Sequence, residues 1–254
     1  MLLSIKNLLR YKIEATDGGI GHVDSFLFDD QEWTIRYLVI DTGNWLPGRK
    51  VLVPPSALGK PGGMIDAFPV EFSREQVKNS PDINTEKPVS RQQEIELYAY
   101  YNWSPYWGIG GGPIATPHAP IVPPMSNESG ENQSGATGKP EEDQDPHLRS
   151  TKEVMGYHIH AKDDQIGHVE DFLVDDANWK IRYIIVDTRN WWPGKKVLVS
   201  PDWIKDISWA DSEVAVDVVR EKVKNSPEFD PAISLNRDYE TRLYDYYGWP
   251  KYWV

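Results

Sequence analysis

Apolar residues recur in short runs broken by clusters of turn formers, a pattern that predicts strands rather than long helices. Tyr11–Ala15 is followed by the turn Asp17-Gly18-Gly19, then Ile20–Phe28, a polar turn Asp29-Asp30-Gln31-Glu32, and Thr34–Asp41. A second turn, Asn44-Trp45-Leu46-Pro47-Gly48, leads into Lys50–Val53 before Pro54-Pro55. The stretch IRYLVID is apolar on both faces apart from Arg36, as in a strand buried inside a closed barrel or sandwich. No helix separates these strands, which disfavours parallel α/β and points to a small antiparallel barrel. Two helical pieces follow. Ser73 with Gln76 and Ser90 with Gln93 make capping boxes. Ser80-Pro81 stops the first helix, and the second runs to Tyr101 with Glu94, Leu97, Tyr98 and Tyr101 on one stripe.

The same pattern then returns. Residues 20–55 and 166–201 align without a gap at an offset of 146, with 23 of 36 positions identical. The offset also aligns REQVKNSPD with REKVKNSPE, and EIELYAYYNWSPYW with ETRLYDYYGWPKYW. The chain therefore reads as a tandem duplication: one unit at 1–107, a second at 151–254, and 108–150 between them. In the second helix of the later copy Asn236 takes the cap position and Leu243, Tyr244 and Tyr247 form the stripe. The intervening segment is rich in Gly, Pro, Ser and Asn, lacks Trp, Tyr and Phe, and is expected to be a disordered, flexible, acidic linker.

Composition narrows the chemistry. Over 254 residues there is no cysteine, which removes disulfides, thiolate metal sites and cysteine nucleophiles. A net charge of −12, spread over both units and the linker, argues against nucleic acid as a partner. No apolar run is long enough to span a membrane. The start MLLSIKNLLRYK carries Lys6, Arg10 and Lys12 in place of an uninterrupted apolar stretch, so a cytoplasmic location is expected, with room for peripheral association with a membrane complex.

An IGHV-type strand, an acidic turn, an IRYLVIDT-type strand and a PG(R/K)KVLVP hairpin, followed by V-K-N-S-P and Y-x-Y-Y-x-W, together resemble the PRC-barrel domain in both copies. That family includes the cytoplasmic domain of the photosynthetic reaction centre H subunit, a domain of a ribosome maturation factor and stand-alone bacterial proteins. The resemblance implies two small antiparallel β-barrels, mainly β, each with a short C-terminal helix and an aromatic tail. It implies a non-enzymatic scaffold that binds a protein partner, with a family-level link to the photosynthetic light reaction.

The residues themselves offer few sites. Acidic residues recur at turns, Asp24, Asp29, Asp30 and Asp41 matching Glu170, Asp175, Asp176 and Asp187, and Asp is favoured there by its own backbone hydrogen bonds. No cofactor is expected and no metal motif is present. The one arrangement worth weighing is His158, His160 and His168, which could approach a zinc ion if the hairpin placed His168 across from His160. Copy one has Lys12 and Glu14 at the matching positions. Tryptophans are the unusual feature. Trp45, Trp191 and Trp192 sit in turns beside Pro-Gly, and Tyr98, Tyr101, Trp103, Trp107, Tyr244, Tyr247, Trp249 and Trp253 line the tails. These are the candidate partner contacts, with the tails also a candidate self-association face.

Three readings follow. The first is an interaction protein whose two modules either grip a repeated partner across the linker or pack together through the tail helices. The second is a ligand- or glycan-binding module, or a hydrolase, using the turn carboxylates and tryptophans. The third is a ribosome-associated assembly factor.

Overall fold

The computed structural model describes residues 1–60, 66–83, 88–107, 147–188, 195–233 and 235–254. Residues 108–146 of the expected linker, with Trp191 and Trp192, lie outside these described residues, while Leu148–Ser150 at its end form a strand. The first repeat runs β1 (Leu2–Ser4), α1 (Ile5–Leu8), β2 (Lys12–Ala15), β3 (Gly18–Asp29), β4 (Thr34–Asp41), β5 (Lys50–Val53), β6 (Ala67–Pro69), α2 (Arg74–Asn79) and α3 (Arg91–Tyr101). The second runs β7 (Leu148–Ser150), α4 (Thr151–Val154), β8 (His158–His160), β9 (Gln165–Asp175), β10 (Ile181–Asp187) and β11 (Lys196–Val199). It ends with β12 (Ile204–Ser208), β13 (Glu213–Val216), α5 (Arg220–Lys224) and α6 (Arg237–Tyr247).

The architecture is mainly β, in two sheets ordered β5-β4-β3-β2-β6 and β11-β10-β9-β8-β13-β12. Two features of the expected barrel are corrected. The sheets are open, their terminal strands unpaired with each other, and each contains one parallel pair, β2 with β6 and β8 with β13. The double-sided apolar pattern of IRYLVID has a different cause from barrel closure. Phe26, Phe28, Ile35, Leu38 and Ile40 face one core, while Tyr37, Val39 and Leu52 face a separate cluster built with Leu97 and Tyr98 of α3. Each sheet is covered on both faces, one by its own tail helix.

The other face is covered by the other repeat. β1 does not join the first sheet: it pairs antiparallel with β9, Leu3 opposite Val174. β7 reciprocates on β3, Arg149 opposite Phe28. Each N-terminal strand and short helix is thus exchanged, and Ile5, Leu8, Leu148 and Val154 are buried. Between the exchanged strands the two acidic turns meet. Ile35 N–H donates to Trp179 O at 2.9 Å, and Ile181 N–H to Trp33 O at 2.7 Å. Both tryptophans adopt left-handed backbone, φ 52° and 58°. Phe28 lies 6.1 Å from Phe172, and Trp179 packs on Phe26 and Phe68. One hydrophobic core therefore runs through both repeats. The copies do pack on each other, through the exchanged strands, the short helices α1 and α4 and the acidic turns rather than through the tail helices.

The repeated motifs have local explanations. In IGHV, a Cβ on Gly21 would stand 2.0 Å from Asp41 O, and on Gly167 2.1 Å from Asp187 O, so the strand crossing excludes any side chain. Thr42 Oγ1 donates to Leu46 O or Arg49 O, both at 2.7 Å, closing the Pro-Gly turn of the first repeat, and Thr188 Oγ1 donates to Lys195 O at 2.8 Å. Arg49 donates to the carbonyls of Lys78 and Ser80, and Lys195 to those of Lys224 and Ser226. The basic residue after Pro-Gly is what holds V-K-N-S-P against the sheet.

Candidate interaction surfaces

The turn carboxylates are engaged in structure. Asp29 Oδ1 accepts from Gln31 N–H and Glu32 N–H, each at 3.0 Å, and its other oxygen takes Arg36. Asp175 accepts from Ala177 N–H and pairs with Arg182. Asp41 accepts from Gly43 N–H. Asp30 pairs with Arg149 of the exchanged strand at 3.0 Å, and Asp176 with the amino group of Met1.

Two carboxylates each bridge the repeats. Asp24 takes Lys50 from its own sheet at 2.9 Å and Lys152 from the other repeat at 3.2 Å. Glu170, the matching position, takes Lys196 at 2.7 Å and Lys6 at 3.4 Å. Burial opposes their ionisation, yet the lysines outweigh it and hold both carboxyls below the usual range. Because the folded values lie below the unfolded ones, this stabilisation is present above about pH 4 and lost as pH falls through the folded values. Asp24→Asn and Glu170→Gln are each expected to cost about 1 kcal/mol at pH 7. Urea titrations should show that penalty shrinking as pH falls through the lowered folded values, where the wild-type carboxyls themselves become protonated.

The aromatic tails fold back on their own repeats around a buried carboxylate. Glu94, 2% exposed, accepts from Tyr37 Oη at 2.7 Å and Tyr106 Oη at 2.8 Å, and pairs with Arg91 at 2.8 Å. Arg36 lies over Tyr106 and Arg91 over Trp107. In the second repeat Glu240 accepts from Tyr183 at 2.8 Å and Tyr252 at 2.7 Å and pairs with Arg237, with Arg182 over Tyr252 and Arg237 over Trp253. Burial pushes the Glu94 carboxyl up, against the pull of the tyrosine hydroxyls and Arg91. Burial, then the bond to Glu240, pushes Tyr252 up to about 12. These phenols stay protonated and act as fixed donors.

Most of the candidate contacts pack against their own repeats. Tyr98, Tyr244 and Tyr247 are buried, and Tyr101, Trp103, Trp107, Trp249 and Trp253 are half-buried in their own ring clusters. Trp203 is buried against Tyr244 and Tyr247, while Trp209 packs on Tyr157 and under Arg149 at the repeat interface. The histidine triad is not assembled either. His168 stands opposite His158, and His160 opposite Gln165. His158 Nδ1 meets Gln165 Nε2 at 2.7 Å, and His160 Nε2 meets Glu213 at 3.4 Å. Among the described residues no three metal-ligating side chains converge.

Trp45 differs from the tail aromatics in walling a groove. Half-buried, it donates from Nε1 to Ile20 O, and the Arg74 guanidinium stacks 4.5 Å from its ring. The ring walls an open groove of about 650 Å³ along the outer face of β2 and β3, lined also by Arg10, Lys12, Glu14 and His22. No motif marked this groove in the sequence. The one available signal was its asymmetry between copies, Arg10 and Lys12 aligning with Gly156 and His158.

Two open, helix-backed sheets sharing one core and exchanging their first strands define a duplicated small-β domain. Residues 159–223 match the PRC-barrel domain, so the chain contains a PRC-barrel domain there. No curated protein matches the chain. The segment one repeat period earlier carries the same strand order from β2 to β5. No helix among the described residues is long and apolar enough to cross a membrane.

Proposed function

We propose that the chain is a non-enzymatic protein-interaction module in which two PRC-barrel repeats act as a single body. What carries this reading is the use made of the carboxylates: Asp24, Asp29, Asp30, Asp41, Glu170, Asp175 and Asp176 each hold a cation or a backbone N–H. A hydrolase needs a carboxylate pair with matched protonation states flanking a substrate, and these groups are committed to folding. The PRC-barrel domain, a general module of protein interaction, supports the same reading, and so does its extension to the first repeat through the shared motifs. A reaction-centre-like membrane complex is the partner class that the resemblance suggests.

Affinity capture with the full chain, from soluble and membrane fractions separately, should return one stoichiometric protein from one of the two. Capture of nothing from either fraction overturns the proposal.

A further inference from the structure

The two repeats differ in chemistry on the outer face of their first hairpin. In the first repeat Lys12 stands opposite His22 and Glu14 opposite Gly19. Gly19 and Gly21 line the Trp45 groove, with the Glu14 carboxylate beside Gly19 and Gly21 closed against the Asp41 carbonyl. Arg10 stands at its rim with φ 70°, left-handed backbone that favours glycine. The second repeat has glycine there, Gly156 at φ 99°. An exposed arginine thus occupies a strained position for which the same chain supplies the unstrained alternative, and strain of this kind points to function.

Charge points the same way. Neither Arg10 nor Lys12 has an ion-pair partner among the described residues. At the corresponding end of the second repeat, Arg220 pairs with Asp164 and Lys162 with Asp217. Gly18 replaces Asp164, and Arg74, the counterpart of Arg220, stacks on Trp45 instead. In a chain of net charge −12 the first repeat therefore presents unpaired cations around an aromatic wall.

Resting on the interaction reading above, we propose that this groove is the contact site of the first repeat and that its occupant is an acidic, extended peptide segment of a protein partner. Arg10 and Lys12 meet its carboxylates, and Trp45 packs an apolar side chain. Glu14, the one carboxylate of the lining, lies at the Gly19 end, so the acidic part of the segment sits towards Arg10.

The test is fluorescence anisotropy of the full chain with a fluorescein-labelled decapeptide of alternating Asp and Glu at low salt. Wild type should bind, and more weakly as salt rises. Arg10→Gly should lose about tenfold in affinity while its melting temperature rises by about 2–4 °C, because the strain is relieved. That pairing separates recognition from folding. Lys12→Glu should lose binding with little change in melting. The proposal is overturned if wild type does not bind, if Arg10→Gly binds equally well, or if inorganic phosphate displaces the peptide and so marks a small-anion site. A partner captured equally by wild type and Arg10→Gly would overturn this assignment and leave the interaction reading standing.

Discussion

Cut at a protease site inserted between Gly130 and Glu131, the chain is expected to remain one particle at its intact mass of 29.1 kDa. The reason is the reciprocal exchange. Ile5 and Leu8 are buried in a shared core beside β9, and Leu148 and Val154 beside β3, each worth about 1.5–3 kcal/mol on burial. Two antiparallel ladders and the Lys–carboxylate–Lys bridges add to this. Separation would expose the aromatic contacts of Phe28, Phe172 and Trp179 to water as well. Native mass spectrometry of the nicked protein checks the expectation. Two separately eluting halves would mean that the exchange is wrong and that the repeats are independent modules on a tether.

Loss of the buried carboxylate should be the most damaging single change. Glu94→Ala leaves Arg91 beside an uncompensated cavity and strips Tyr37 and Tyr106 of their shared acceptor. A cost of about 3–5 kcal/mol is expected, because two phenol donors lose their acceptor at about 1–3 kcal/mol each, while Arg91, 41% exposed, turns to solvent. Glu94→Gln keeps an acceptor for both phenols and should cost less. Tyr37→Phe removes one donor and should cost about 1–3 kcal/mol. A double-mutant cycle between Tyr37 and Glu94, read from urea midpoints, should give a coupling of the same sign and order. Purely additive effects would show that the tail is held by its aromatic packing alone.

Much of the fold was legible in the sequence because the duplication supplied its own comparison. Strand order, both capping boxes and the two tail helices could be read from period and turn chemistry. Barrel closure could not: IRYLVID looks the same whether its second face meets a barrel interior or a tail helix, since hydrophobic periodicity reports burial and not the identity of the cover. The exchanged strands were beyond reach for another reason. Three residues are too few to show a period, and nothing in Leu2–Ser4 tells a strand seeking β3 from one seeking β9. The candidate contacts divided on the same principle. Tail aromatics and partner-binding aromatics have one composition, and only Glu94 and Glu240, read as ordinary helix positions, would have given away that the tails close on themselves.

The pairing of β1 with β9 also sets a timetable. Leu3 is synthesised some 170 residues before Val174, the residue it stands opposite. At about 5–20 residues per second, the N-terminal strand and the apolar core of the first repeat wait about 10–30 s for cover. The chain is thus committed to finishing its synthesis before either half is complete. A truncated product ending in the linker is therefore an orphan with an open apolar face, suited to recognition by chaperones and proteases rather than to half of the work.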